Sequence, residues 1–332
     1  MKPDTTGSVC AIVVTYNRME LLRTCLAAIY HQQQRPDHVY VVDNHSTDGT
    51  AEMLAELAGF SLGSEEVGRA LEREGVYGEA GTAGLPLSYI RLLENSGGAG
   101  GFSAGIRKGF AEGHEWLWLM DDDGVPEAEC LAQLLSVGSE HIPYVAPDLI
   151  DSNGQSHFPW WGRSAGDLVA NRGGPFNGVL LNRRVVKAVG YPMANFFIWG
   201  DENEYLDRIE NAGIVVTTYR KARHGHKRTS IDFRRNRRAF YLVRNTVFRA
   251  RLYDGMAGSR KLFILWCLYM IVRNMMLFFL HANVRQGCSC IRGLWRGARE
   301  DLNRQKRVSC WGGIPSAPAD SIVVQGCQTR CR

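Results

Sequence analysis

The chain shows no apolar leader. Met1-Lys2-Pro3-Asp4 runs straight toward a strand-like segment, without the hydrophobic stretch of a secretory signal peptide. Cytoplasmic placement with reduced thiols is the expectation that follows. Nine cysteines are present but lack the spacing of a disulfide framework, and Cys10, Cys25 and Cys130 sit in apolar-patterned segments. Cys288-x-Cys290 and Cys327-x₃-Cys331 have no flanking pattern that completes a four-ligand zinc site. Glycine is missing from Thr15-Tyr16-Asn17-Arg18, so the first βα turn cannot be a dinucleotide fingerprint. A clean transmembrane run is also wanting. Leu262 to Leu280 reaches 19 residues, the bottom of the spanning range, but Arg273-Asn274 interrupts it. No internal repeat is visible.

What is present fits one large α/β domain with an appendage in 332 residues. The net charge of +5 conceals an asymmetry. Tyr219 to Cys310 holds 22 Lys or Arg against 4 Asp or Glu, a net of +18, which leaves −13 on the rest. A basic C-terminal third on an acidic body implies an anionic partner for that third, a membrane surface or nucleic acid.

Val9 to Val14 is fully apolar and reads as a buried parallel strand. A helix pattern from Met19 to about Gln32 puts Leu21, Leu22, Cys25, Leu26 and Ile29 on one face. Val39 to Val42 is a second strand, ending at Asp43-Asn44, with a further helix from near Thr50. This βα alternation indicates an open parallel sheet with ligands at the carboxyl ends of its strands. Gly59 to Pro86 is weakly patterned and reads as an insertion or flexible loop. Ser88 to Leu92 is a third strand, and the glycine-rich Asn95 to Phe102 precedes a helix expected from Ser103 to Gly113. Later come a helix from about Asp201 to Asn211 and a strand, Ile214 to Thr218, running toward His224-Gly225-His226.

The apolar run Trp116 to Met120 ends in Asp121-Asp122-Asp123. Three adjacent carboxylates at the end of a buried strand repel one another and call for a cation, with Mg²⁺ and Mn²⁺ favouring oxygen ligands. The plainer alternative is a polar turn leading into Gly124-Val125-Pro126. Asp43 can accept hydrogen bonds from a base or ribose, or can cap the turn that follows it. Four glycines within Gly97 to Gly101 let backbone approach a bulky ligand, or form a mobile loop. Asp201-Glu202 offers a general base at a helix start, or plain favourable charge there. His224 and His226 could bring an imidazole to the metal.

In this order, these motifs resemble a family 2 glycosyltransferase with the GT-A fold. The parts are Val13-Val14-Thr15-Tyr16-Asn17-Arg18, Val41-Val42-Asp43-Asn44 with Ser46 to Thr50, the carboxylate triplet, and the acid pair before a helix. The likeness spans Val9 to about Ser230. Asn95-x-Gly97-Gly98-Ala99-Gly100-Gly101-Phe102, Phe176-Asn177-Gly178 and Phe197-Ile198-Trp199-x-Asp201-Glu202 are similar to bacterial galactofuranosyltransferases and their rhamnosyltransferase relatives. The resemblance implies a Rossmann-like, mostly parallel sheet flanked by helices over residues 1–230. A basic, apolar helical region over 231–310 and a flexible tail over 311–332 would follow.

It further implies site roles. Thr15, Tyr16, Asn17, Asp43, Asn95, Gly97, Gly98, Asp121 and Asp122 would bind the nucleotide-sugar donor. Asp121 and Asp123 would hold Mn²⁺ or Mg²⁺ with His226, or alternatively His224. Glu202 would be the catalytic base, with Asp201 the alternative. Trp160, Trp161 and Asn177 would meet the acceptor, the two tryptophans being equally suited to core packing. The implied reaction is inverting transfer to a saccharide or polyprenyl-linked glycan, in cell-surface polysaccharide synthesis at the inner face of the plasma membrane. Leu262 to Leu280 then fits an interfacial helix better than a buried or spanning one, because a central Arg is costly in lipid. Homo-oligomerisation through that helix is compatible, and no nucleic-acid partner is expected. The competing activities are rhamnosyl transfer from dTDP-rhamnose, or a non-catalytic basic binder of membrane or nucleic acid. A sugar nucleotidyltransferase would need a glycine-rich phosphate loop after the first strand, which is lacking.

Overall fold

The computed structural model describes residues 7–63, 71–78, 83–157, 166–170, 175–227, 239–252 and 284–300, together with 265, 268, 269, 271–273, 275 and 276. Trp160, Trp161, Ser230, Asn274, Cys310, Cys327, Cys331 and the expected tail at 311–332 lie outside the described residues.

The chain opens with β1 (Val9–Thr15), α1 (Met19–Tyr30), β2 (His38–Asp43) and α2 (Thr50–Ala58). Then come β3 (Leu71–Tyr77), β4 (Leu85–Arg91), α3 (Gly97–Ala111), β5 (Trp116–Asp121), β6 (Gly124–Pro126) and α4 (Cys130–Val137). The second half holds β7 (Tyr144–Ile150), β8 (Leu168–Ala170), β9 (Val179–Asn182), α5 (Arg183–Val189), α6 (Asp201–Asn211) and β10 (Thr217–His226). Among the described residues, α7 (Ala239–Leu252) and α8 (Val284–Arg299) follow.

One mixed sheet runs β3-β4-β2-β1-β5-β9-β7-β10-β6, with β8 pairing β10. Its first half, β4-β2-β1-β5, is parallel, as the apolar runs require. Beyond β5 the pairing changes, because β9 lies antiparallel between β5 and β7. Alternation along β1 serves two cores. Val9, Ala11 and Val13 pack with Leu22, Leu26 and Leu134, while Cys10, Ile12 and Val14 pack with Phe102, Ile106 and Leu206. Each fully buried aliphatic side chain of this kind contributes about 1.5–3 kcal/mol.

Two segments depart from the sequence reading. Gly59 to Pro86 contains β3, an edge strand antiparallel to β4, whose polar, half-exposed composition hid it. The glycine-rich stretch is not a loop before a helix; it is the first turns of α3, which begins at Gly97 rather than Ser103. The physical reason is proximity to the sheet. A Cβ on Gly101 would stand 2.4 Å from Val14 Cγ1, one on Gly105 2.4 Å from Ile12 Cγ2, and one on Gly109 2.6 Å from Leu117 Cδ2. Spaced four apart, these glycines form one face of the helix, and the lost helix propensity is offset by close packing.

Cys10, Cys25 and Cys130 are buried free thiols, while Cys288 is exposed and Cys290 buried on α8. Among the described residues no helix is long and apolar enough to cross a membrane.

Candidate active site

Strand register assembles the site. Thr15 lies beside Asp43 in the β1–β2 pairing, and Val14 lies beside Asp121 in the β1–β5 pairing, so three strands finish at one edge. β10 returns to that edge antiparallel to β6, with His226 opposite Gly124. The acids from β5 and the histidine from β10 therefore meet by backbone geometry alone.

Within the triplet the three carboxylates have different surroundings. Asp122 is buried, and its Oδ2 accepts from Thr15 Oγ1 at 2.8 Å and from the Tyr16 amide at 3.4 Å. Burial raises its pKa against the opposing charge of Arg18. Arg18 Nη1 donates to Asp122 Oδ1 at 3.0 Å and to Asp123 Oδ2 at 2.9 Å. On the far side, Asp123 Oδ1 stands 3.4 Å from His226 Nε2. Burial pushes the Asp123 carboxyl up, but His226 and Arg18 together bring it below the ordinary aspartate value. Asp121 is pushed well above that value by burial, then by the negative charges of Asp123, Asp122 and Asp201.

The acid pair converges on the same place. Asp201 opens α6 after Gly200, whose φ of 89° makes the sharp entry. Burial lifts Asp201 to about 7, with its own and the Glu202 backbone N–H groups opposing the rise. Glu202 is raised well above the usual glutamate range by burial, then by the charges of Asp201 and Asp121. Its Oε1 accepts from the Phe176 amide at 3.2 Å. A carboxylate held above its ordinary range is what proton abstraction near neutrality requires. Gly98 completes this wall, since a Cβ there would be 3.9 Å from Asp201 Oδ2. Asn95 Oδ1 caps the same turn by accepting from the Gly97 amide at 2.8 Å.

The remaining expected residues are placed as follows. Asp43 is fully buried, and its oxygens accept from the Ser46 amide and the Tyr89 hydroxyl, each at 2.8 Å. It caps its turn and in this arrangement offers no surface of its own. Asn17, with φ of 51°, accepts from the Thr47 amide at 2.7 Å, while Tyr16 is exposed. Asn177 is buried and braces the end of β5, its Oδ1 accepting from the Asp121 amide at 3.3 Å.

Of the two histidines, His226 is the one brought to Asp123. His224 is a packed wall residue: a Cβ on Gly124 would be 2.4 Å from its Nε2, and one on Gly178 2.6 Å from its Nδ1. Neither ring nitrogen has a hydrogen-bond partner among the described residues. Burial, with the neighbouring His226 adding, holds it down to about 3 and therefore neutral.

Among the described residues no three His, Cys, Asp or Glu side chains form a ready cage for an ion. The opening is narrower than that. Asp123 Oδ1 is buried without a hydrogen-bond partner among the described residues, facing an imidazole nitrogen. Carboxylate oxygen plus imidazole fits a divalent ion that draws its other ligands from a diphosphate.

Three neighbours have no role assigned by the sequence. Arg18 stands in the strand-end motif, and its role was signalled only by the acids it would have to neutralise. Tyr89 looked like an ordinary strand aromatic. His157 packs edge-on to His226, ring centroids 6.0 Å apart, and no motif surrounds it.

Comparison with known proteins bears on the family and the fold. A sequence profile for glycosyl transferase family 2 matches residues 10–197. The galactofuranosyltransferase GlfT1 of Mycolicibacterium smegmatis is 32% identical over 249 residues, covering 69% of this chain and 74% of that one. Among solved structures, S. aureus TarS 1-349 superposes with a TM-score of 0.59 at 13% identity, over 89% of this chain and 82% of that one. The mannosyltransferase PcManGT from Pyrobaculum calidifontis, solved with GDP-Man and Mn²⁺, gives 0.53 at 17%, over 90% and 77%. The two structures share the fold, a central sheet flanked by helices in the GT-A arrangement.

Proposed function

The chain belongs to glycosyl transferase family 2, and on that footing we propose an inverting, divalent-metal-dependent transfer of galactofuranose from a nucleoside diphosphate to a saccharide or lipid-linked saccharide hydroxyl. That it is a glycosyltransferase of galactofuranosyltransferase-like sequence is already given by its relatives. One observation supports the finer reading above the others: the acid pair of α6 lies close enough to Asp121 for their charges to raise one another.

Thr15, Tyr16, Asn17 and the Gly97-Gly98 turn flank the space for the donor, with Asp43 shaping the turn beneath it through Ser46. Asp121, Asp123 and His226 are the residues that would hold Mn²⁺ or Mg²⁺, which when bound neutralises the departing diphosphate. Glu202 removes the proton of the acceptor hydroxyl. The freed oxygen attacks the anomeric carbon opposite the diphosphate, whose bond breaks as the new one forms. The proton remains on Glu202, and the sugar inverts.

The acceptor is proposed to lie at a membrane surface, in keeping with cell-surface polysaccharide synthesis. Leu268, Tyr269, Val272 and Met276, with Ile291 and Trp295 of α8, expose apolar side chains. Arg273, Arg292 and Arg296 are exposed among them. An apolar face set among arginines suits anionic headgroups, from an interfacial rather than spanning position.

The test is a panel of UDP-galactofuranose, UDP-galactose and dTDP-rhamnose with Mn²⁺, read as nucleotide released. Turnover of UDP-galactofuranose supports the proposal. Turnover of dTDP-rhamnose alone moves the chain to rhamnosyl transfer, and no release from any donor removes the reading.

A further inference from the structure

The loop that delivers the acid pair has no carbonyl to spare. It runs from Asn195 to Trp199, and two of its non-glycine residues hold positive φ, Phe197 at 64° and Trp199 at 64°. Such backbone is strained and persists only where its surroundings over-determine it. One restraint comes from the donor side: the Ala99 amide of α3 donates to Phe197 O at 3.1 Å, and Gly97 has no room for a Cβ against that same carbonyl.

The other restraints come from α7. Asn245 Nδ2 donates to Phe196 O at 2.8 Å, to Ile198 O at 2.9 Å and to Trp199 O at 2.6 Å. Arg244 Nη2 donates to Asn195 O at 2.7 Å and Phe196 O at 2.9 Å. Arg244 Nε also donates to Asn245 Oδ1 at 3.0 Å, which turns the amide NH₂ toward the loop. Asn245 is buried, and burial depresses the Arg244 pKa, so neither is a solvated surface group. Tyr241, one helical turn earlier, stacks on Phe197 with ring centroids 4.8 Å apart.

We propose that Asn245 is a positioning residue for the transfer reaction, fixing the acid pair at the start of α6 against the glycine turn that borders the donor. Arg244 orients it. The inference rests on the transfer function argued above. It also makes α7 part of the catalytic unit, although α7 falls within the C-terminal region expected to serve membrane association. The body of α6 is tied to α7 separately, through Arg249 Nε and Nη2 to the two oxygens of Asp207 at 2.8 and 2.9 Å. Loss of the Asn245 contacts therefore loosens the first turn of α6 without releasing the helix. α8 is bound to the same helix, since a Cβ on Gly293 would stand 2.5 Å from Phe240 O.

The experiment uses the full chain with UDP-galactofuranose, a short alkyl galactoside as acceptor, and Mn²⁺. It compares wild type with Asn245→Ala, Asn245→Asp and Thr246→Ala for kcat, donor KM, UDP affinity and melting temperature. A displacement of about 1 Å at a reacting group costs on the order of 100-fold. Asn245→Ala should thus lower kcat by about 10- to 100-fold with donor KM and UDP affinity within about twofold. Asn245→Asp, near in shape but without the NH₂ donors, should fall likewise. Thr246→Ala should match wild type. A folded Asn245→Ala with unchanged kcat overturns the inference, as does a loss of kcat that tracks melting temperature and UDP affinity together. If Asn245→Ala does not fold, Asn245→Asp decides in the same two directions. Wild type that releases no nucleotide removes the transfer reading itself, whereas an active wild type beside an unimpaired variant removes this inference alone.

Discussion

Arg18 and Asp122 form an ion pair of 3.0 Å, and the same guanidinium nitrogen reaches Asp123 at 2.9 Å. The fold thus supplies part of the positive charge that three neighbouring carboxylates demand. Asp122 is satisfied within the protein, which leaves Asp123 Oδ1 beside His226 unpartnered among the described residues and Asp121 repelled by its neighbours.

Replacing that guanidinium should be felt before any ligand is added. Breaking a fully buried pair costs about 3–5 kcal/mol. Arg18 is 41% exposed, so solvent screening reduces the expectation for Arg18→Gln to about 1–2 kcal/mol. Mn²⁺ should then raise the variant's melting temperature more than that of wild type, because the ion takes over the lost neutralisation. A variant that melts with wild type, with or without Mn²⁺, would show that the pair does not balance the triplet.

The acid pair sets a pH dependence whose sign can be worked out. Glu202 lies above the ordinary glutamate range, so at low pH it carries its proton and cannot accept another. Activity should rise with pH through that raised value. Asp201 contributes one of the repelling charges, so Asp201→Asn should shift the acidic limb of kcat to lower pH. Glu202→Gln should remove the limb and lower kcat by about 10²- to 10⁴-fold. The converse pattern, in which Asp201→Asn abolishes the limb and Glu202→Gln only moves it, would make Asp201 the base.

Metal dependence should run through Asp123. Calorimetric binding of UDP with Mn²⁺ should disappear in Asp123→Ala and weaken by about 10- to 100-fold in His226→Ala. His224→Gln should bind UDP as wild type does, whatever it costs in packing, because neither ring nitrogen makes a hydrogen bond to the triplet's carboxylates among the described residues. UDP binding that is indifferent to Asp123→Ala would be evidence against an ion at this place.

Binding to membranes is best probed by point substitutions, because α8 packs on α7 and deleting it would strip a buried face. Ile291→Asp with Trp295→Asp should lower partition onto vesicles containing anionic phospholipid by at least about tenfold, since each puts charge where apolar area was offered. Wild type should itself bind neutral vesicles at high salt more weakly than anionic ones, because the arginines then gain nothing from the headgroups. Equal partition onto the anionic vesicles would remove that face from consideration.

Much of the site was legible because its residues stand at strand ends, where the change from apolar run to polar cluster marks the boundary. Val9–Val14 and Trp116–Met120 gave β1 and β5, and with them the position of Thr15 and the triplet. The glycine stretch misled because glycine usually breaks helices, and only the neighbouring sheet explains why α3 tolerates them. β3 was hidden by its exposed, charged face at the edge of the sheet. His226 could not be separated from His224 by spacing; what distinguishes them in the fold is that His226 Nε2 stands 3.4 Å from Asp123 Oδ1 while the His224 ring is packed between Gly124 and Gly178. Arg244-Asn245, a polar pair inside the apolar stretch Leu242 to Phe248, was an available but unread signal for burial with partners.

The glycine face of α3 has a further effect at the other end of the helix. Gly101, Gly105 and Gly109 lie against β1 and β5, while Gly97 and Gly98 face Phe197 and Asp201 on the same rigid rod. A methyl group added deep in that seam would lift the rod like a wedge under a lever, and the far end would shift at a distance from the change. The seat of the acid pair against this helix is thus governed by side chains the helix lacks.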